Sequence, residues 1–172
     1  MRMRIRVPLR HPFYPDWVAT PAREGVEECA AISGTFPELA RAATAGAKAK
    51  HAVFALQGPD NPFLGDRQRD ILWEAFQVPI FALLLDREGR LAGWECEAQD
   101  GLHVGGAWME EEIWVYRLLT SVGELESAPC ECGRPGERVR KVQKREPMKA
   151  PAGAGIVEPV ALAPVRGSGR PQ

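Results

Sequence analysis

Apolar residues are distributed in two different ways along this chain. In the middle they gather into runs, HAVFALQ at 51–57 and VPIFALLL at 78–85. Neither run alternates with polar positions, as expected of strands covered on both faces in a parallel sheet. Between them, Gly58-Pro59-Asp60-Asn61-Pro62 has the composition of a loop. Asp66 can then cap a helix over 67–77, with Ile71, Leu72, Ala75 and Phe76 on one face and Arg67, Arg69, Asp70 and Glu74 toward water. Strand, loop, helix and strand in that order predict a βαβ unit with a right-handed crossover.

Upstream the pattern reads as helical. Thr20-Pro21 has the form of a helix start, with proline in the first turn where its missing N–H costs nothing. Val26, Cys29, Ala30 and Ile32 would line the buried side and Gly34 would end the helix. Thr35 and Glu38 have capping-box spacing, so a second helix is expected from there to about Lys48. The first twenty residues, with Pro8, His11, Pro12, Phe13, Tyr14, Pro15, Asp16 and Trp17, are expected to be extended and irregular. Their aromatic side chains would hold the segment against the body of the protein.

Downstream of 85 the runs shorten and turns multiply. Asp86-Arg87-Glu88-Gly89-Arg90 is a turn, LAGWECEAQ at 91–99 an antiparallel strand, and Asp100-Gly101 a strong turn pair. Further strands are expected at 102–105, 113–119 and 122–125. The fold class is therefore α/β or α+β, with a short parallel βαβ part followed by a small antiparallel sheet. Residues 1–145 would form a single domain. The segment 146–172 carries Pro147, Pro151, Gly153, Gly155, Pro159, Pro164, Gly167, Gly169 and Pro171. Such a composition cannot offset its ordering entropy by burial, so a flexible tail is expected.

Composition narrows the range of functions. The chain has 172 residues, 45% of them hydrophobic, and 22 basic against 23 acidic side chains leave a net charge of -1. That balance argues against nucleic-acid or membrane binding through bulk charge, although Arg134, Arg138, Arg140, Lys141, Lys144, Arg145 and Lys149 form a local basic stretch. No apolar run is long enough for a membrane span, and the basic start has no signal-peptide core. Four cysteines are too few for a disulfide scaffold, so a cytoplasmic location is expected.

The strongest chemical signal is Cys96, His103, Cys130 and Cys132. Three thiolates and an imidazole make a tetrahedral zinc set. A hairpin at Asp100-Gly101 would bring Cys96 and His103 together. In Cys130-Glu131-Cys132-Gly133, the glycine permits the left-handed backbone of a tight knuckle. With every coordination position filled, such a site would be structural and would staple the second half to itself. Arg134 and backbone N–H groups can offset its negative charge. The alternative is that Cys96 is a small core residue and the other two cysteines are surface thiols. Cys29, on an apolar face, reads as core, and His11 and His51 as surface or core histidines. Glu110, Glu111 and Glu112 read as an exposed turn.

WECEAQDGLHV at 94–104 and CECGRPGERV at 130–139 resemble the two zinc-bearing segments of phenylacetate–coenzyme A ligases, members of the acyl-adenylate-forming superfamily. RQRDILWEAFQVPIFALLL at 67–85 resembles the helix and strand preceding them, and the resemblance spans about 51–140. It implies that Cys96, His103, Cys130 and Cys132 are zinc ligands. The catalytic motifs do not carry over. Glu88 falls where the family's magnesium-side glutamate stands, but without the preceding Tyr-Gly and hydroxyl residues. In VYRLLTS at 115–121, Thr120 or Ser121 stands where the ribose-binding aspartate would be. Ser33-Gly34-Thr35 lacks the Gly and Lys of a phosphate loop, and the lid domain with its lysine is missing.

The sequence thus suggests a non-enzymatic, zinc-stabilised binding or accessory protein with no catalytic residues, reaching a protein partner through its tail. The alternative is an acyl- or nucleotide-binding subunit or remnant of a CoA-ligase-like enzyme. Oligomeric state is not legible.

Overall fold

A computed structural model describes residues 9–58, 63–86, 89–104 and 123–141. In chain order the elements are β1 (Arg10–His11), β2 (Tyr14–Pro21), β3 (Glu28–Gly34), α1 (Phe36–Thr44), β4 (Lys48–Gln57), α2 (Asp66–Phe76), β5 (Ile80–Leu85), β6 (Leu91–Trp94), β7 (Leu102–Val104), β8 (Gly123–Glu126) and β9 (Arg138–Lys141). Among the described residues the strands form a nine-stranded sheet of order β1-β2-β3-β4-β5-β6-β7-β9-β8. The pairs from β2 to β5 are parallel and every other pair is antiparallel. The fold is mixed α/β, and the antiparallel part extends the parallel sheet rather than forming a second one.

The parallel centre follows from its residues. Val53 to Ala55 and Ile80 to Leu85 are buried without a break, so both faces are covered. On one face Ile32, Val53, Ala55, Ile80, Ala82 and Leu84 meet Leu39 and Ala42 of α1 and Leu72 and Phe76 of α2. On the other, Ala31, Phe54, Leu56, Phe81, Leu83 and Leu85 pack with Leu9, Tyr14, Trp17 and Trp94. The capping box of α1 forms as expected: the Thr35 N–H donates to Glu38 Oε2 at 2.8 Å.

The helix expected from Thr20 to Gly34 is instead strand β2, a turn at Gly25 (φ +81°) and strand β3. Ala31 and Ile32 are consecutive and both wholly buried. A strand between two parallel neighbours can bury successive residues on opposite faces, whereas a surface helix buries one stripe. Pro21 closes β2, opposite Ser33. Within the described part of the N-terminal stretch expected to be irregular, Arg10–His11 and Tyr14–Pro21 form β1 and β2.

Smaller departures have similar causes. Helix α1 ends at Thr44, and α2 runs from Asp66 with Gly65 as its N-cap. Ile71 is 39% exposed and Ala75 is also exposed, so α2 buries a narrower face than its pattern suggests. Arg69 is not directed to water: it binds Glu95 at 2.7 and 2.9 Å and donates to the Ile80 carbonyl. Strand β6 stops at Trp94, freeing 95–101 to turn. Residues 138–141, expected only as basic surface, form β9 between β7 and β8. The expected strand at 113–119, Glu88, Glu110 to Glu112, Thr120, Ser121 and the tail lie outside the described residues.

Candidate metal centre

The centre is built from two turns that β9 brings together. Leaving β6, the chain places Cys96 in a turn that ends at Gly101 and puts His103 on β7, opposite Arg138 of β9. Gly101 has φ +96°, and a Cβ there would stand 2.5 Å from the Val139 carbonyl oxygen. Only glycine meets both requirements. The second turn precedes β9: the Gly133 N–H donates to the Cys130 carbonyl at 2.9 Å, with Gly133 at φ +74°.

The side chains of Cys96, His103, Cys130 and Cys132 converge, with their ligand atoms all within 4.8 Å of one another. Cys96 Sγ lies 3.6 Å from Cys130 Sγ, and Cys132 Sγ lies 3.5 Å from His103 Nε2. Cys96, Cys130 and His103 are buried and Cys132 half-buried. The four residues could together hold a metal ion. Cys29 stands apart, its thiol donating to the Lys48 carbonyl at 3.6 Å.

The electrostatics of the cluster are asymmetric. Burial pushes the Cys96 thiol up to about 12. Burial acts the same way on Cys132, but the Arg134 backbone N–H, the neighbouring thiols and the Arg134 guanidinium outweigh it and bring that thiol down. Burial, helped by the charges of Arg138 and Arg134, lowers His103 and keeps the imidazole neutral. A neutral imidazole is the form that binds a metal.

A surrounding shell ties this centre to the N-terminal strands, which the sequence reading did not foresee. The Phe13 ring meets His103 edge-on, 5.0 Å between centroids. The Arg134 guanidinium lies 4.4 Å over the same ring and binds Glu97 at 2.6 and 2.7 Å. Tyr14 donates its hydroxyl to Glu97 at 2.7 Å. Burial opposes ionisation of Glu97, but its own backbone N–H, Tyr14 and Arg134 hold it down to about 2.

His11 is fully buried. Its Nδ1 accepts the Phe13 N–H at 3.1 Å, so Nε2 carries the proton and donates to the Glu95 carbonyl at 2.6 Å. The expectation of a core histidine with satisfied nitrogens holds there. The signal that could have located this shell was the density of aromatic residues from 11 to 17.

Farther along β9, Arg138 reaches Asp100 at 3.3 Å and Glu126 at 2.8 Å, and Arg140 binds Asp100 at 2.8 Å. Arg134, Arg138 and Arg140 of the basic stretch are thus each paired with acidic side chains. No helix among the described residues is long and apolar enough to cross a membrane. No protein-family model matches the chain, and no curated protein matches it.

Proposed function

We propose that Cys96, His103, Cys130 and Cys132 hold one zinc ion in a closed structural site, and that the chain is a non-enzymatic, zinc-stabilised binding or accessory protein. The convergence of four donor atoms within 4.8 Å carries this reading. Zinc–sulfur bonds of ~2.3 Å and zinc–nitrogen bonds of ~2.0 Å at tetrahedral angles imply S···S edges of ~3.8 Å and S···N edges of ~3.5 Å. The Cys96–Cys130 and Cys132–His103 edges, 3.6 and 3.5 Å, are close to those values. Sulfur-rich tetrahedral sets favour zinc over the hard cations, which prefer oxygen.

With four protein ligands the metal would keep no open position for water or substrate, which supports a structural rather than a catalytic role. Zinc with three thiolates would carry a net negative charge, and Arg134, which helps bring the Cys132 thiol down, is placed to offset it. The centre would join the two turns to each other and, through Phe13 against His103, to the N-terminal strands.

The zinc-bearing part of a phenylacetate–coenzyme A ligase-like fold is the origin we favour. The parallel β4–α2–β5 unit, followed by a hairpin carrying Cys and His, has the order that resemblance implies.

Elemental analysis of the purified full chain tests the metal. About one zinc per chain is expected, falling below about one tenth in Cys130→Ser and His103→Ala, since each removes one of four ligands. A metal-free parent chain with unchanged folding would overturn the proposal.

A further inference from the structure

A cavity of about 430 Å³ opens between the middle of α2, the start of β5 and the β6–β7 turn. We propose that it binds a small organic cation, an ammonium group carried on an apolar or aromatic body. The proposal stands apart from the zinc reading, since it uses none of the candidate ligands. The volume lies within the ~300–1,000 Å³ usual for small-molecule sites.

Its walls include Tyr14, Trp17, Trp73 and Phe81, with Asp70 and Glu97 as the acids. Tyr14 and Trp17 are stacked at 4.3 Å between centroids and 14° between planes, and Arg134 and His51 also lie against their rings, so they form a fixed apolar wall and leave Trp73 as the aromatic face open to a cation. Trp73 is 49% exposed, a large apolar side chain that the described residues leave half uncovered. Aromatic faces attract cations through the ring quadrupole, tryptophan most strongly.

The charge balance selects the sign of the ligand. Arg69 lines the cavity, but its charge is taken up by Glu95 at 2.7 Å. Glu97 is matched by Arg134 at 2.6 Å. Asp70 is exposed and has no charged partner among the described residues. It lies three residues before Trp73 on α2, a spacing that puts both on one face of the helix. The cavity therefore offers one uncompensated carboxylate beside an available indole. An anion would meet repulsion from Asp70 with Arg69 already engaged by Glu95, while a neutral ligand would leave the Asp70 carboxylate unmatched.

The test uses the full chain as purified, with zinc content measured on every sample. Benzyltrimethylammonium is the probe and benzoate the control of similar body and opposite charge, followed by tryptophan fluorescence and calorimetry. Saturable ammonium binding with a Kd on the order of 1 mM is expected for a ligand of this size, with benzoate at least about tenfold weaker. Asp70→Asn should weaken the ammonium about three- to tenfold, and Trp73→Ala by about tenfold or more. Both positions are exposed, so the variants should fold and keep the parent's zinc content. Equal binding of benzoate, no ammonium binding at tens of millimolar, or parental affinity in both variants would each overturn the proposal. Zinc content reports independently on the metal reading.

Discussion

The parallel and antiparallel parts of the sheet are held together by different means. From β2 to β5, side chains such as Ile32, Phe54, Leu72 and Leu83 are almost wholly buried between two apolar layers. Burial at roughly 25 cal/mol per Å² of apolar surface can sustain that region without further help. From β6 to β9 the buried apolar side chains among the described residues are Ala92, Leu102 and Val139, interspersed with Cys96, Cys130, His103 and Arg138. There the described residues add ion pairs through Arg138 and Arg140 and the converging Cys/His cluster. Among the described residues the Cys/His cluster sits where buried apolar side chains are few, and the zinc proposed for it would cross-link that part of the sheet.

Removal of the proposed zinc should have the largest effect on this contrast. Zinc contributes on the order of 10 kcal/mol to the folding of small metal-dependent peptides. Chelation, or Cys130→Ser, should therefore abolish amide-exchange protection in β6, β7, β8 and β9 while β4 and β5 remain protected. Equal loss across both regions would break the distinction drawn above.

A core truncation should act in the reverse sense. Phe54 is fully buried between β4 and the N-terminal aromatics. Phe54→Ala should cost about 3–5 kcal/mol in denaturant unfolding, with zinc content unchanged in the fraction that remains folded.

The third effect is smaller and depends on pH. Burial, opposed by the hydrogen bond to the Glu95 carbonyl, holds His11 down to about 4. Because the unfolded chain binds this proton first, stability is fully retained above about pH 6.5 and declines as pH falls from there through 4. The decline attributable to His11 should be no more than about 3 kcal/mol. It should appear as the difference between the pH profiles of parent and His11→Asn, which separates it from protonation of the Cys/His cluster. Parallel profiles would show that His11 does not link the two regions.

Local chemistry in the sequence determined a good deal. The runs at 51–57 and 78–85, the capping residues Thr35 and Glu38, and the turn glycines Gly101 and Gly133 act within a few residues of themselves. Their pattern therefore specifies β4, β5, α1 and the two knuckles without knowledge of the rest. The identity of the candidate ligands was legible for the same reason, since cysteine and histidine beside tight turns are recognisable by type and spacing. The tertiary structure alone decided that 28–34 is a strand: its short apolar pattern suits either element until β2 and β4 supply parallel partners. It alone inserted β9 between β7 and β8, where Arg138 becomes buried against Asp100 and Glu126. It also brought Phe13 and Arg134, far apart in the chain, together beside His103. Strand pairing and shell contacts of this kind depend on groups distant in sequence, so their energies leave little trace in the order of nearby residues.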